Sequence, residues 1–256
     1  MIGRSDEYEK MFQLEGKLWW YRSLHERVAE ALQTHFGDRR DVAILDVGCG
    51  TGGLMAFLRA RGYTNLRGMD GSTDAVVACR ERGLTVSLVD LNELSETGDQ
   101  YDAVVCNDVF CYFPGDQLSA LMRKLANRLR ATGILISNNN AFNVFRGQHD
   151  LAVGIVRRFT LVDFRRLLPS TNLRIERSTY WSFLLSPVIL LMRQWQNLEL
   201  RLGWQSPESA KSDVYLPSPW LNETLYRVVH MEQSVLSRTP FGSSLFLVFR
   251  PVAVGS

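Results

Sequence analysis

The 256-residue sequence predicts an α/β protein whose mainly parallel sheet is covered by helices on both faces, and three patterns predict it. Short apolar runs recur at 42–47, 65–69, 84–89, 101–106 and 133–137. Helical stretches at Gly53–Arg61, Asp74–Arg82 and Gln117–Arg130 separate them, so strands and helices alternate. The first run ends in a glycine-rich turn, Gly48-Cys49-Gly50-Thr51-Gly52, immediately before a helix.

Taken in order, the chain opens with Leu18, Tyr21, Leu24, Val28, Ala31 and Leu32 at helical spacing, which predicts one or two helices across 8–35. The alternating strands and helices follow. Phe159–Leu168 then reads as a helix, Asn172–Tyr180 as a strand and Ser244–Arg250 as the last strand. The 181–242 segment between those two strands is too long for a connection. It carries Leu184, Leu185, Val188, Leu191, Met192 and Trp195 on one helical stripe, which predicts a helical insertion. The expected organisation is an N-terminal helical lid over 1–40, a ligand-binding core over 41–180, an inserted cap over 181–242 and the final strand and tail over 243–256.

The composition narrows the function classes. Lysine and arginine total 29 against 27 acids, for a net charge of +2, and the charges are interspersed, which disfavours nucleic acid as a partner. Cys49, Cys79, Cys106 and Cys111 lack CxxC spacing, so neither a disulfide framework nor a zinc site is expected, and no cluster has the spacing of metal ligands. Met1 to Lys10 is polar rather than basic-then-apolar, and no apolar run approaches the roughly 18 residues of a spanning helix. A cytoplasmic, reducing location is the expectation.

In an open parallel sheet, ligands bind beyond the carboxyl ends of the strands. Gly48, Gly50 and Gly52 sit there, where glycine lets the backbone take positive φ and lets a ligand approach main-chain N–H groups. A glycine turn alone fits a dinucleotide as well. Asp46, two residues before the first glycine, would repel a pyrophosphate but can hold a cationic amino group. Asp70 ends the second strand, where a carboxylate can accept from both hydroxyls of a ribose. Asp90 follows the third strand, placed to accept from an adenine amino group while Leu91 covers the ring.

The ordered segments DVGCGTGG (46–53), MDGS (69–72), VDLN (89–92) and YDAVVCNDVFCYF (101–113) resemble the motif set of class I S-adenosylmethionine (SAM)-dependent methyltransferases. The resemblance implies a Rossmann-like seven-stranded sheet ending in an antiparallel hairpin, with SAM as cofactor across the strand ends. On that reading Asp46, Gly48, Cys49, Gly50, Gly52, Asp70, Gly71, Asp90, Leu91, Asn107 and Asp108 line the cofactor. Leu14 to Arg22 resembles the aromatic N-terminal segment of bacterial methyltransferases acting on small molecules and saccharides. It implies that Tyr21 and Arg22 meet the methionine end of SAM, with Arg22 paired to its carboxylate. The aromatic block equally suits the apolar face of a packing helix.

Methyl transfer from a sulfonium demands alignment of the acceptor and loss of its proton. His149, beyond the fifth strand, is the leading base candidate, with His25 beside the aromatic block and Tyr112 after the fourth strand as further catalytic candidates. The Glu-His pair usual after the fourth strand is replaced here by Cys111-Tyr112. The acceptor expected is an oxygen of a small natural product or saccharide-like molecule, with nitrogen or carbon methylation, a lipid-linked acceptor or a non-catalytic SAM-binding role as alternatives. The aromatic insertion, broken by prolines at 187, 207, 217, 219 and 240, suits an acceptor cap, a peripheral membrane contact or a homodimer interface.

Overall fold

The computed structural model describes residues 5–204, 212 and 214–252. Pro207 and the tail at 253–256 lie outside the described residues. Two helices, α1 (Ser5–Leu14) and α2 (Trp19–Phe36), precede the alternating core. The core runs β1 (Ile44–Val47), α3 (Gly53–Ala60), β2 (Leu66–Asp70), α4 (Thr73–Glu81), β3 (Val86–Leu88), β4 (Tyr101–Val105), α5 (Gly115–Ala126) and β5 (Leu129–Asn140). Then come α6 (Gln148–Val153), α7 (Leu161–Leu167), β6 (Leu173–Trp181), α8 (Ser186–Arg201), α9 (Pro219–Val235) and β7 (Ser244–Pro251).

The seven strands form one sheet in the order β3-β2-β1-β4-β5-β7-β6. Strands β1 to β5 are parallel, and β7 runs antiparallel between β5 and β6. Order reverses between β1 and β4, so the carboxyl ends of those two strands flank the crevice in which such sheets bind ligands.

Side chains alternate along each central strand and so build a core on each face of the sheet. Leu135 of β5 joins Leu245, Leu247 and Phe249 of β7 on the face covered by α5 and α7. Ile134 and Ile136 join Phe246 and Val248 on the other face, under α2, α3 and α9. Helix α2 turns Leu24, Val28, Ala31 and Leu32 inward, a stripe at helical spacing.

Boundaries depart from the sequence reading where backbone pairing overrides periodicity. Helix α5 stops at Ala126 rather than Arg130, and β5 begins at Leu129, because Tyr101 N–H donates to the Arg128 carbonyl at 2.8 Å and recruits the segment into the sheet. Helix α7 starts at Leu161 rather than Phe159, since the Thr160 hydroxyl accepts from Asp163 N–H and the Asp163 carboxylate accepts from Thr160 N–H, a reciprocal cap. Among the described residues the insertion holds two separate helices. Helix α9 lies along α2, while α8 packs on α6 and the 3-10 turn at Asn143–Phe145. No helix among the described residues is long and apolar enough to cross a membrane.

Candidate functional site

The turn after β1 is built so that only glycine fits. Gly48, Gly50 and Gly52 have φ of 68°, 53° and 82°, the left-handed region that side chains avoid. Space is closed as well: a Cβ on Gly48 would lie 2.3 Å from Val109 Cγ2, and one on Gly52 2.5 Å from Leu84 Cδ1. Asp70, at the end of β2, locks the loop, its carboxylate accepting Gly50 N–H at 3.0 Å and Ser72 N–H at 2.9 Å. Each oxygen keeps a lone pair for a further donor. Cys49 is buried with its sulfur 4.0 Å from that of Cys79.

Charge is concentrated at these strand ends. Asp46 is buried, and burial, then the neighbouring Glu15 and Asp70, push its carboxyl up to about 8. Among the described residues the charged groups that shift it are both acids. Asp70 is raised too, chiefly by burial, with N–H donation from Ser72, Gly50 and Gly71 opposing. Asp90 is exposed and accepts from Asn92 N–H and Asn92 Nδ2, both at 2.9 Å, in a local turn just after β3. Leu91 beside it is buried in the sheet core.

Sequence reasoning missed Glu15. It is buried between α1 and α2, and its carboxylate accepts from the Thr51 hydroxyl at 2.5 Å and from Gly53 N–H, at the N-terminus of α3. Arg82 lies 3.4 Å away and also donates to the Phe12 carbonyl at 2.9 Å, so the N-terminal segment is pinned over the glycine turn. Burial lifts Glu15 to about 7 in spite of these partners. Its only sequence sign was an isolated acid beside Gly16. Tyr8 of α1 is likewise buried, bonded to Ser72 and facing Asp70.

At the ends of β4 and β5 a second polar group forms. Asp108 adopts φ 55°, strained for a residue other than glycine, and its two oxygens accept from Asn138 Nδ2 at 3.1 and 2.9 Å. Asn138 Oδ1 in turn accepts from Trp181 Nε1 at 2.8 Å, and Asn138 N–H donates to Asn107 Oδ1 at 2.9 Å. Burial raises Asp108 to about 7, against the opposing pull of Asn138 and Arg158. The Tyr112 phenol, raised by burial, lies within electrostatic reach of Asp108, Tyr8 and Tyr21, so the candidates from α1, α2 and the β4 end converge. Asn138 and Trp181 were not expected here, because only the sheet register brings them together.

Three expected residues sit differently. Arg22 is engaged by the insertion, paired with Glu223 at 3.0 Å and stacked 3.7 Å from the Tyr226 ring centroid, which occupies the fork expected to meet a carboxylate. His25 is buried against Phe57 and Tyr21, and burial, then Arg82 and Arg61, lower it to about 3, leaving a neutral and very weakly basic ring. His149 is half-buried on α6, next to Asp150, which is held below the usual carboxylate range by a two-pronged pair with Arg158 at 2.7 and 2.9 Å. A groove of about 560 Å³ between α2 and α9, lined by Glu26, Glu30, Arg40 and His230 among others, contains none of the strand-end residues. Among the described residues no cluster of His, Cys, Asp and Glu could hold a metal ion.

A family model described as a methyltransferase domain matches residues 44–133, the stretch from β1 to β5 that carries the glycine turn and its acids. That stretch is a methyltransferase domain, and the fold around it is the one seen in SAM-dependent methyltransferases. The chain is 29% identical over 147 residues to the ubiquinone biosynthesis O-methyltransferase of Rickettsia bellii (strain OSU 85-389), an alignment covering 51% of the chain and 60% of that relative's length. The mitochondrial ubiquinone biosynthesis O-methyltransferase of Saccharomyces cerevisiae is 25% identical over 114 residues, 42% of this chain and 36% of that one. Among solved structures, a SAM-dependent methyltransferase from Clostridium acetobutylicum shares the fold with a TM-score of 0.58 at 14% identity, covering 95% of this chain and 98% of that one. The plantazolicin methyltransferase, solved with S-adenosylhomocysteine, matches with a TM-score of 0.56 at 14% identity, covering 96% and 89%.

Proposed function

We propose that this protein binds SAM across the ends of β1, β2 and β3 and transfers its methyl group to an oxygen of a small-molecule acceptor. The observation that carries the reading is Asp46: a buried carboxyl pushed to about 8 by burial and like charge, beside a turn that admits only glycine. Such a group gains most from a cationic ligand, and the ammonium and sulfonium of SAM supply one. The donor set fits the rest of the cofactor, with Asp70 suited to the ribose hydroxyls, Asp90 and Leu91 to the adenine, and Tyr21 to the methionine end. The ubiquinone relatives are named O-methyltransferases, which supports oxygen as the accepting atom.

When bound, SAM supplies a methyl group on a cationic sulfur, ready for in-line displacement. The chain's own part is to position and to take a proton. Asp108, held near 7 and oriented by Asn138, is matched to neutral pH as a proton acceptor, whereas the neutral His25 ring is not. Tyr112, kept protonated by burial, is suited to orient the acceptor by donating a hydrogen bond. His149 stands as the alternative base.

Isothermal titration tests the reading. The wild-type chain should bind SAM, and Asp70→Ala should weaken binding by about tenfold or more through the lost hydroxyl acceptors. No heat with the wild-type protein, or an unchanged affinity in the variant, would overturn it. Methylated products identified by mass spectrometry across hydroxyl and amine acceptors then assign the atom.

A further inference from the structure

Helix α8 faces the wrong way for a packed amphipathic helix. Val188, Leu191, Trp195, Leu198 and the adjoining Leu202 fall on one line by their spacing of three and four, with Met192 beside them. All six are exposed, from 43% at Leu198 to 71% at Leu191, and Ser186 is the only buried residue of the helix. The half-buried side mixes Ile189, Leu190 and Leu200 with polar residues that bond to the body. Asn197 donates to the Arg146 carbonyl at 3.1 Å and Gln148 to Glu199 at 3.5 Å. Arg193 and Gln196 cover Gly147 so closely that a Cβ there would lie 2.7 and 2.8 Å from them. Trp204, just past the helix, and Val144 and Leu151, on the elements that α8 packs against, are exposed as well. An exposed apolar stripe of this kind marks an interaction surface.

Charge distinguishes the two covers a lone apolar stripe admits. Between Ala141 and Trp204 the chain carries nine arginines and no lysine against four carboxylates, although the whole chain is only +2. Arg158 and Asp150 cancel in their buried pair, while the arginines at α8 itself, Arg201 on the helix and Arg146, whose carbonyl accepts from Asn197, are exposed. A second copy meeting this face across a two-fold axis would oppose arginine to arginine. An anionic bilayer meets it with opposite charge, and tryptophan favours the headgroup level.

We propose that α8 is a membrane-docking helix, lying in the surface of an anionic bilayer with its Val188–Leu202 stripe among the acyl chains and its flanking arginines at the phosphates. The elements under it, the turn at Asn143–Phe145 and α6, follow directly from the carboxyl end of β5. Docking therefore sets the lipid surface beside the mouth at the strand ends, where an amphiphilic acceptor carried by that surface would arrive. The docking stands independently of methyl transfer.

Vesicle sedimentation with the full chain tests it, at about 0.1 M salt, where charges are screened over ~10 Å. The protein should pellet with vesicles of equal parts phosphatidylcholine and phosphatidylglycerol, and much less with phosphatidylcholine alone. The double variant Leu191→Glu, Trp195→Glu should lose about tenfold or more of this binding with an unchanged circular dichroism spectrum. Arg146→Glu with Arg201→Glu, which leaves the stripe intact, should weaken binding to the anionic vesicles alone. Equal binding to both vesicle types, no binding to either, or a dimer by light scattering that the Leu191→Glu, Trp195→Glu variant dissolves would each overturn the proposal, the last assigning the stripe to a second copy.

Discussion

Asp108 combines a left-handed backbone, two bonds from one amide and a carboxyl held near 7. Asn fits the same backbone and volume without the charge, so Asp108→Asn isolates the proton-accepting role. With an acceptor in hand, kcat should fall by about 10²- to 10⁴-fold and the limb of the pH–rate profile near 7 should disappear. An unaltered profile would move the role to His149, and His149→Ala would then carry the loss. At this scale the sequence was informative wherever chemistry is local. Gly48, Gly50 and Gly52 are legible because glycine takes those angles without strain, and Asp70 because it ends a strand. Glu15 was not legible, since its meaning lies in a contact with Thr51 across 36 positions, and neither was Asn138, whose partners lie in the loop after β4 and at the end of β6.

Elements matter here through how they hold one another. Helix α9 fastens the start of α2, with Asn222 accepting from Trp19 N–H and donating to the Lys17 carbonyl, both at 2.9 Å. Asn222→Ala leaves both groups unpaired, at a cost of about 1–3 kcal/mol. For a chain of this length each 1 kcal/mol lowers the melting temperature by about 2–4 °C. Because α2 also carries Tyr21, the KM for SAM should rise while kcat changes little. Equal loss in both would show that the pair only stabilises the fold. Periodicity marked α2 and the stripe of α8, but it left 148–153, where α6 lies, without a helix, and it said nothing of how the helices dock. The same helical spacing describes α2, which turns its apolar stripe inward, and α8, which turns its stripe out; periodicity names a face without naming what covers it.

The whole molecule responds to pH through groups that the fold displaces. Glu15, Asp46 and Asp108 stand at about 7, 8 and 7 in the folded chain, against about 4 when unfolded. Between those limits the folded state binds more protons, so stability falls as pH rises. His25, lowered to about 3, acts in the opposite sense: the unfolded chain takes up its proton below about 6.5, so this group favours the fold as pH rises from 3 to 6.5. From about 6.5 to 8 only the carboxyls of this set titrate. The melting temperature of the ligand-free protein should decline across that window, and saturating SAM should flatten the decline by pairing Asp46 with a cation. Differential scanning fluorimetry reads both, and a melting temperature that climbs through the window would show that these carboxyls are solvated.

The place of β7 has a consequence in time. Its residues, Ser244–Pro251, are made after β6, yet β7 lies between β5 and β6, and β6 pairs with no other strand among the described residues. The strand that carries Trp181 therefore has no edge to join until the chain has been made through β7. The glycine turn needs only β1, β2 and their helices, all complete within the first third of the chain. Synthesis thus assembles the molecule in halves, the glycine-turn half early and the Asp108–Asn138–Trp181 half only when the β6–β7 hairpin closes.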